Sequence, residues 1–209
     1  MSAAPLEIAA AVEGDVDEAV LRRITKHVGI GVRSVYGKRG KAHLKEHIRS
    51  YNNAARFAPW LVLVDLDQDA DCAPPFRSEW LPRPTEHMCF RIAVREVESW
   101  LLGDSERLAS LLAVPVSRVP RTPESVADPK QTIVNLARRS RRRGVREDMV
   151  PDPRSGRAVG PLYTSNLIRF VSDARDGWRP DVALTACDSL ARCIRQLQDL
   201  VANQVRGAG

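Results

Sequence analysis

The stretch Trp60 to Asp71 places opposite physical demands on its two halves. Leu61-Val62-Leu63-Val64 is a short apolar run, β-branched at every second position. Such a run suits a strand buried on both faces, as in the parallel sheet of an α/β domain. The acids begin where the run ends, at Asp65, Asp67, Asp69 and Asp71. Open α/β sheets place their ligands at the carboxyl ends of such strands. In extended backbone, carboxylates at i and i+2 point the same way. At the edge of a low-dielectric interior they repel each other, so a divalent cation is their natural partner. A solvated acidic loop after an ordinary strand is the competing reading, and this run alone does not decide between them. An EF-hand loop is excluded: counted from Asp65, the glycine and glutamate positions hold Ala70 and Phe76.

The same order of strand, acid and helix occurs earlier in the chain. Leu6 to Val12 reads as a strand ending in Glu13-Gly14, followed by an amphipathic helix from Asp15 to His27 with Val16, Val20, Leu21 and Ile24 on one face. Asp17, four residues after Glu13, lies in the first helical turn, where it can turn back toward the strand end. Asp15 and Glu18 fit better as first-turn acids favoured by the helix dipole. Ile30 to Tyr36 reads as a second strand. The basic, glycine-flanked loop Gly37-Lys38-Arg39-Gly40-Lys41 then leads into a helix from Ala42 to Ala55. Lys38 and Lys41 are candidate phosphate contacts there, although the spacing is not that of a P-loop. After the central strand, Cys72 to Thr85 reads as a proline-rich loop and Met88 to Val94 as a fourth strand. Glu96 again stands just past a strand end, with Arg91 and Arg95 as salt-bridge partners or phosphate contacts.

The helix after the basic loop contains His43-Leu44-Lys45-Glu46-His47. This is formally the HxxEH pattern of zinc metallopeptidases, with Glu124 as the candidate third ligand downstream. The bland reading is a solvated helix face among Lys41, Lys45 and Arg49. Beyond Asp104 the strand-helix alternation stops. Helices are expected over Leu108 to Leu112, Lys130 to Ser140, Thr164 to Ala174 and Pro180 to Val205, the last packing on the sheet or on a partner. Loops are expected over Pro115 to Pro129 and Asp148 to Gly160. Arg138, Arg139, Arg141, Arg142, Arg143 and Arg146 form the densest charge block. They are either a nucleic-acid contact or a solvated helix end.

At 209 residues the chain allows one large domain, or a core with a modest extension. Its net charge of +6 allows a polyanionic partner without requiring one. Cys72, Cys89, Cys187 and Cys193 show no CxxC spacing, which argues against a structural zinc and fits a reducing cytosol. The N-terminus lacks the basic region of a signal peptide, and no apolar run approaches the length of a membrane span. A cytoplasmic location is expected.

With Glu13-Gly14, Asp65-x-Asp67 and the strand order in place, residues 6 to 104 resemble a Toprim domain, the fold shared by topoisomerases, primases and OLD-family nucleases. Asp17 matches the acid four residues after the glutamate in OLD-type proteins. Val94 to Leu102 is similar to a segment of an uncharacterised bacterial Toprim-like family often encoded beside ATPases. The late lysine of OLD-type nucleases has no assignable match. The resemblance implies an α/β core with a mostly parallel sheet over 1–104 and an α-helical extension over 105–209. It also implies Mg²⁺ or Mn²⁺ on Glu13, Asp17, Asp65 and Asp67, with Glu96 as a further ligand or base. Lys38, Lys41, Arg95 and the arginine block would guide a nucleic acid. The implied activity is phosphodiester cleavage of DNA or RNA in bacterial defence or repair, with a separate ATPase subunit as partner. A non-catalytic module binding an ATPase or nucleic acid is the alternative, and a zinc peptidase on His43, Glu46 and His47 a minor one.

Overall fold

A computed structural model of the chain describes residues 6–207. Residues 1–5, the first part of the N-terminal stretch read as lacking a signal-peptide region, lie outside the described residues. The elements are β1 (Glu7–Val12), α1 (Asp15–His27), β2 (Gly31–Gly37), α2 (Lys41–Ala54), β3 (Trp60–Asp65), α3 (Ala73–Trp80) and β4 (Met88–Ala93). They continue with α4 (Val97–Gly103), α5 (Ser105–Leu112), α6 (Pro129–Arg138), α7 (Arg143–Met149), α8 (Tyr163–Ser172), α9 (Pro180–Ala183) and α10 (Asp188–Gly207). Two compact units result: Met1–Val94 with Ser189–Gly209, and Arg95–Asp188. This division does not coincide with a boundary at residue 104, because the C-terminal helix belongs with the strands.

In the first unit the four strands are all parallel, in the order β2-β1-β3-β4. From β1 the chain moves outward to β2, then crosses back over β1 to β3. The direction of winding therefore reverses between β1 and β3, the position where doubly wound sheets open a crevice for ligands. β3 is buried at every position, as its unbroken apolar run requires. Trp60, Val62 and Val64 share a face with Met88, Phe90 and Ile92 of β4. They bury against Leu44, Ile48 and Tyr51 of α2 and Phe76 and Trp80 of α3. Each such side chain contributes roughly 1.5–3 kcal/mol when fully buried. The C-terminal helix α10 runs beside β4: Arg91 donates to Gln196 at 3.2 Å and Val94 N–H to Ser189 Oγ at 3.3 Å, with Leu190, Ile194 and Leu197 buried.

Helix α3 replaces the loop expected over Cys72 to Thr85. Pro74 and Pro75 fall in its first turn, where the missing N–H groups would have had no helical partner. Phe76 and Trp80, one turn apart, supply its buried face, and Trp80 lies 6.1 Å from the ring of Phe90. Tertiary burial outweighs proline count here.

The second unit is helical. Its centre holds Trp100 and Trp178, the latter's indole N–H donating to the Trp100 carbonyl at 3.0 Å. Asp104, fully buried, caps α5 by accepting from Arg107 N–H and takes a two-point contact from Arg179 at 2.7 and 2.9 Å. The single helix expected over Pro180 to Val205 is interrupted. α9 ends at Ala183, and the chain restarts at Asp188, whose N–H donates to Glu124 at 3.0 Å. The helix expected to run into the arginine block is also broken, between Arg138 and Arg143. Among the described residues, no helix is long and apolar enough to cross a membrane.

Candidate active site at the strand ends

Parallel pairing of β1 with β3 sets Ala9 opposite Trp60 and Ala11 opposite Val62. The two acids that follow these strands are thereby brought together: Glu13 Oε1 accepts the backbone N–H of Asp65 at 2.8 Å. Asp65 is 8% exposed and Asp17, in the first turn of α1, is 7% exposed. Gly14 leaves room for this turn, since a Cβ there would stand 3.2 Å from Asp17 Oδ2. Glu13-Gly14 thus supplies both a carboxylate at the crevice and space for a second.

Asp67 departs from the extended geometry expected of an Asp-x-Asp pair. The strand ends at Asp65, Leu66 is buried with its N–H on the Ala93 carbonyl (2.9 Å), and Asp67 adopts φ 50°. Asp67 thus follows a buried residue in left-handed backbone, and its carboxylate meets Lys41. Lys41 Nζ donates to Asp67 and, at 2.7 Å, to Asp69. Burial works against the Lys41 charge. Its bonds to Asp67 and Asp69 and the field of Glu13 outweigh burial, and its pKa is raised.

Lys38 and Lys41, expected on phosphate, therefore both hold carboxylates; Lys38 pairs with Asp15 at 3.4 Å and Glu18 at 3.0 Å. The loop geometry drives this. Gly37, at φ 87°, packs so tightly on β1 that a Cβ would lie 2.4 Å from the Val12 carbonyl, and Lys38 N–H donates to that same carbonyl. The loop is drawn across the end of β1, and its lysines are carried onto the acids of α1 and of the turn after β3.

Glu96 belongs to the second unit. Its carboxylate accepts Lys130 Nζ at 2.7 Å and Lys130 N–H at 3.0 Å, in the first turn of α6. Beside it, Glu98 is buried, 3.4 Å from the Tyr163 hydroxyl and 3.7 Å from Lys130 Nζ. Burial pushes the Glu98 carboxyl up to about 7, with Lys130 opposing that rise and Glu96 adding to it. Lys130 and Tyr163 were not singled out in the sequence. The Asp128-Pro129 start of α6 was a legible signal, but not the partner 34 residues away. Arg95 stands next to Glu96 in left-handed backbone, at φ 63°.

The arginine block is distributed by the break between α6 and α7. Arg143 pairs with Glu147 at 2.7 Å and Arg146 donates to the Ser140 carbonyl. Arg138 and Arg139 line a cavity of about 580 Å³ with Thr132, Asn135 and Arg118, with no carboxylate among its lining residues. Arg118 was missed in the sequence because it lies alone in a proline-rich stretch. Arg141 and Arg142 lie between the two helices.

On α2, His43, Glu46 and His47 come together with potential ligand atoms within 4.8 Å of one another. Glu124, their expected third partner, belongs to the second unit. The cysteines are free thiols, with Cys89, Cys187 and Cys193 buried.

No protein-family model and no curated protein matches the chain. Among solved structures, two C-terminal regions of OLD proteins are similar to it. That of Burkholderia pseudomallei has 16% identity over 95% of this chain and 99% of its own, with a TM-score of 0.45. That of Xanthomonas campestris pv. campestris has 13% identity over 98% of each chain, with a TM-score of 0.44.

Proposed function

We infer that this chain is a Mg²⁺- or Mn²⁺-dependent phosphodiester-cleaving enzyme acting on nucleic acid. The observation that carries this reading is the bond between Glu13 and the Asp65 N–H. It joins the acidic ends of the two central strands at the point where the winding reverses. Glu13, Asp17, Asp65 and Asp67 offer only oxygen donors, which favours Mg²⁺ or Mn²⁺ over zinc. Asp17 and Asp65 are buried, and the ammonium of Lys41 on Asp67 is in keeping with a need for positive charge there. A divalent cation held there supplies charge for an attacking water and a departing oxygen of a phosphodiester. Around it, Glu13 keeps Asp65 in place through the backbone N–H, and Lys41 orients Asp67 and Asp69. The acid-free arginine cavity offers sequence-independent contacts to a phosphate backbone.

The test is cleavage of single- and double-stranded DNA and RNA with Mg²⁺ or Mn²⁺, comparing wild type with Glu13→Gln and Asp65→Asn. Gln retains an oxygen for the Asp65 N–H, so folding is preserved while charge is lost. A fall in rate of roughly a hundredfold or more in both supports the assignment. Full activity in both would remove it. Glu96→Gln, measured alongside, tests the acid in the second unit separately.

A further inference from the structure

We propose that the exposed side of α2 carries a second metal site, for a zinc-class divalent cation, built from His43 and His47 with Glu46. Its ligands are chemically distinct from the all-oxygen group at the strand ends. Residues three and four apart on a helix lie on one face. The potential ligand atoms of these three are within 4.8 Å of one another, the only such trio of histidine, cysteine or acid side chains among the described residues.

Two further observations show a prepared site. His47 Nδ1 is 2.9 Å from the His43 carbonyl oxygen. A carbonyl only accepts, so Nδ1 is the donor, and in the neutral ring Nε2 is then the nitrogen whose lone pair can bind a metal. A backbone carbonyl holding the other ring nitrogen is the usual support of a metal-bound histidine. The rings also lie in a continuous row of ring contacts. His43 and His47 are 4.2 Å apart by centroids, His47 is 6.2 Å from Tyr51, and Tyr51 is stacked at 5.1 Å on Trp60 of β3. Tyr51 and Trp60 are each 8% exposed, so this row of rings is anchored in the core.

Of the cations named in the solvated-face reading, Lys41 and Lys45 are engaged elsewhere. Lys41 is turned to Asp67 and Asp69. Lys45 pairs with Glu79 at 2.9 Å and lies 5.6 Å over the Trp80 ring. Both ammonium groups are neutralised by acids on other elements. Imidazole nitrogen selects zinc, copper or nickel over magnesium.

The experiment is titration of zinc chloride into metal-stripped full-length protein by calorimetry, paired with thermal melts. It compares wild type, His43→Gln, His47→Gln and Asp65→Asn. One equivalent of zinc binds to wild type and to Asp65→Asn and raises the melting temperature. In either histidine variant the affinity falls about tenfold or more and the shift disappears, while magnesium in excess does not compete. Absence of zinc binding to wild type overturns the proposal, as does binding that survives both histidine substitutions or is lost only in Asp65→Asn. Failure of the strand-end site appears independently, as unchanged cleavage in the Glu13 and Asp65 variants.

Discussion

Replacing Glu98 by glutamine stabilises the protein in a pH-dependent way, and the size follows from its surroundings. Glu98 is buried, and burial raises its pKa from 4.5 to about 7. A raised carboxyl pKa means that the folded state holds the proton more tightly than the unfolded chain. Its contribution is therefore present below pH 4.5 and is lost as pH rises toward 7. At one pKa unit per 1.36 kcal/mol, wild type at pH 8 bears a cost of about 3 kcal/mol for ionising this group. At pH 5 the cost is about 1 kcal/mol. Glutamine keeps an oxygen for the Tyr163 hydroxyl and never ionises. It gives up the 3.7 Å attraction to Lys130, whose ammonium retains Glu96 at 2.7 Å. The difference in unfolding free energy between Glu98→Gln and wild type should therefore grow by about 2 kcal/mol, in favour of the variant, from pH 5 to pH 8. Urea titrations of both proteins at the two pH values measure it, and taking the difference cancels the titrating groups that do not touch Glu98. A difference independent of pH would show that Glu98 ionises normally and would refute the reasoning.

Lys41→Met removes the ammonium from Asp67 and Asp69, so Mn²⁺ should bind roughly tenfold more tightly if those acids hold a cation; weaker binding by calorimetry would contradict that role. Asp104→Ala leaves Arg179 without its buried partner and should destabilise by about 3 kcal/mol in urea, the lower part of the range because Arg179 is partly exposed to water. The double variant Arg138→Ala, Arg139→Ala should weaken duplex DNA binding equally for all sequences. It should also lower the slope of log affinity against log salt by roughly 2, and an unchanged slope would take these arginines off the phosphate backbone.

The strands and the first two helices were legible because each carries its own local signal. Leu61 to Val64 announces a doubly buried strand, and Asp15 to His27 has an apolar stripe at helical spacing with acids in its first turn. Glu13 and Asp65 were legible as strand-end acids, and Asp17 as a first-turn acid of α1, for the same reason. α3 was not, since two prolines look like a loop until Phe76 and Trp80 find β4 to pack on. The paired state of Lys38 and Lys41 was likewise invisible, because it depends on the fold of Gly37 against Val12.

Sequence periodicity by itself determined an α/β core with acids placed just past its strands, because burial period and turn chemistry are properties of neighbouring residues. The tertiary structure alone decided which acids meet. Parallel pairing of β1 with β3 puts the Asp65 N–H on Glu13, across 52 positions of chain. Asp67, in left-handed backbone after the buried Leu66, meets Lys41, and Lys130 takes Glu96 from the far end of a proline-rich stretch. Charge pairing over such separations is set by register and packing, which no local pattern encodes.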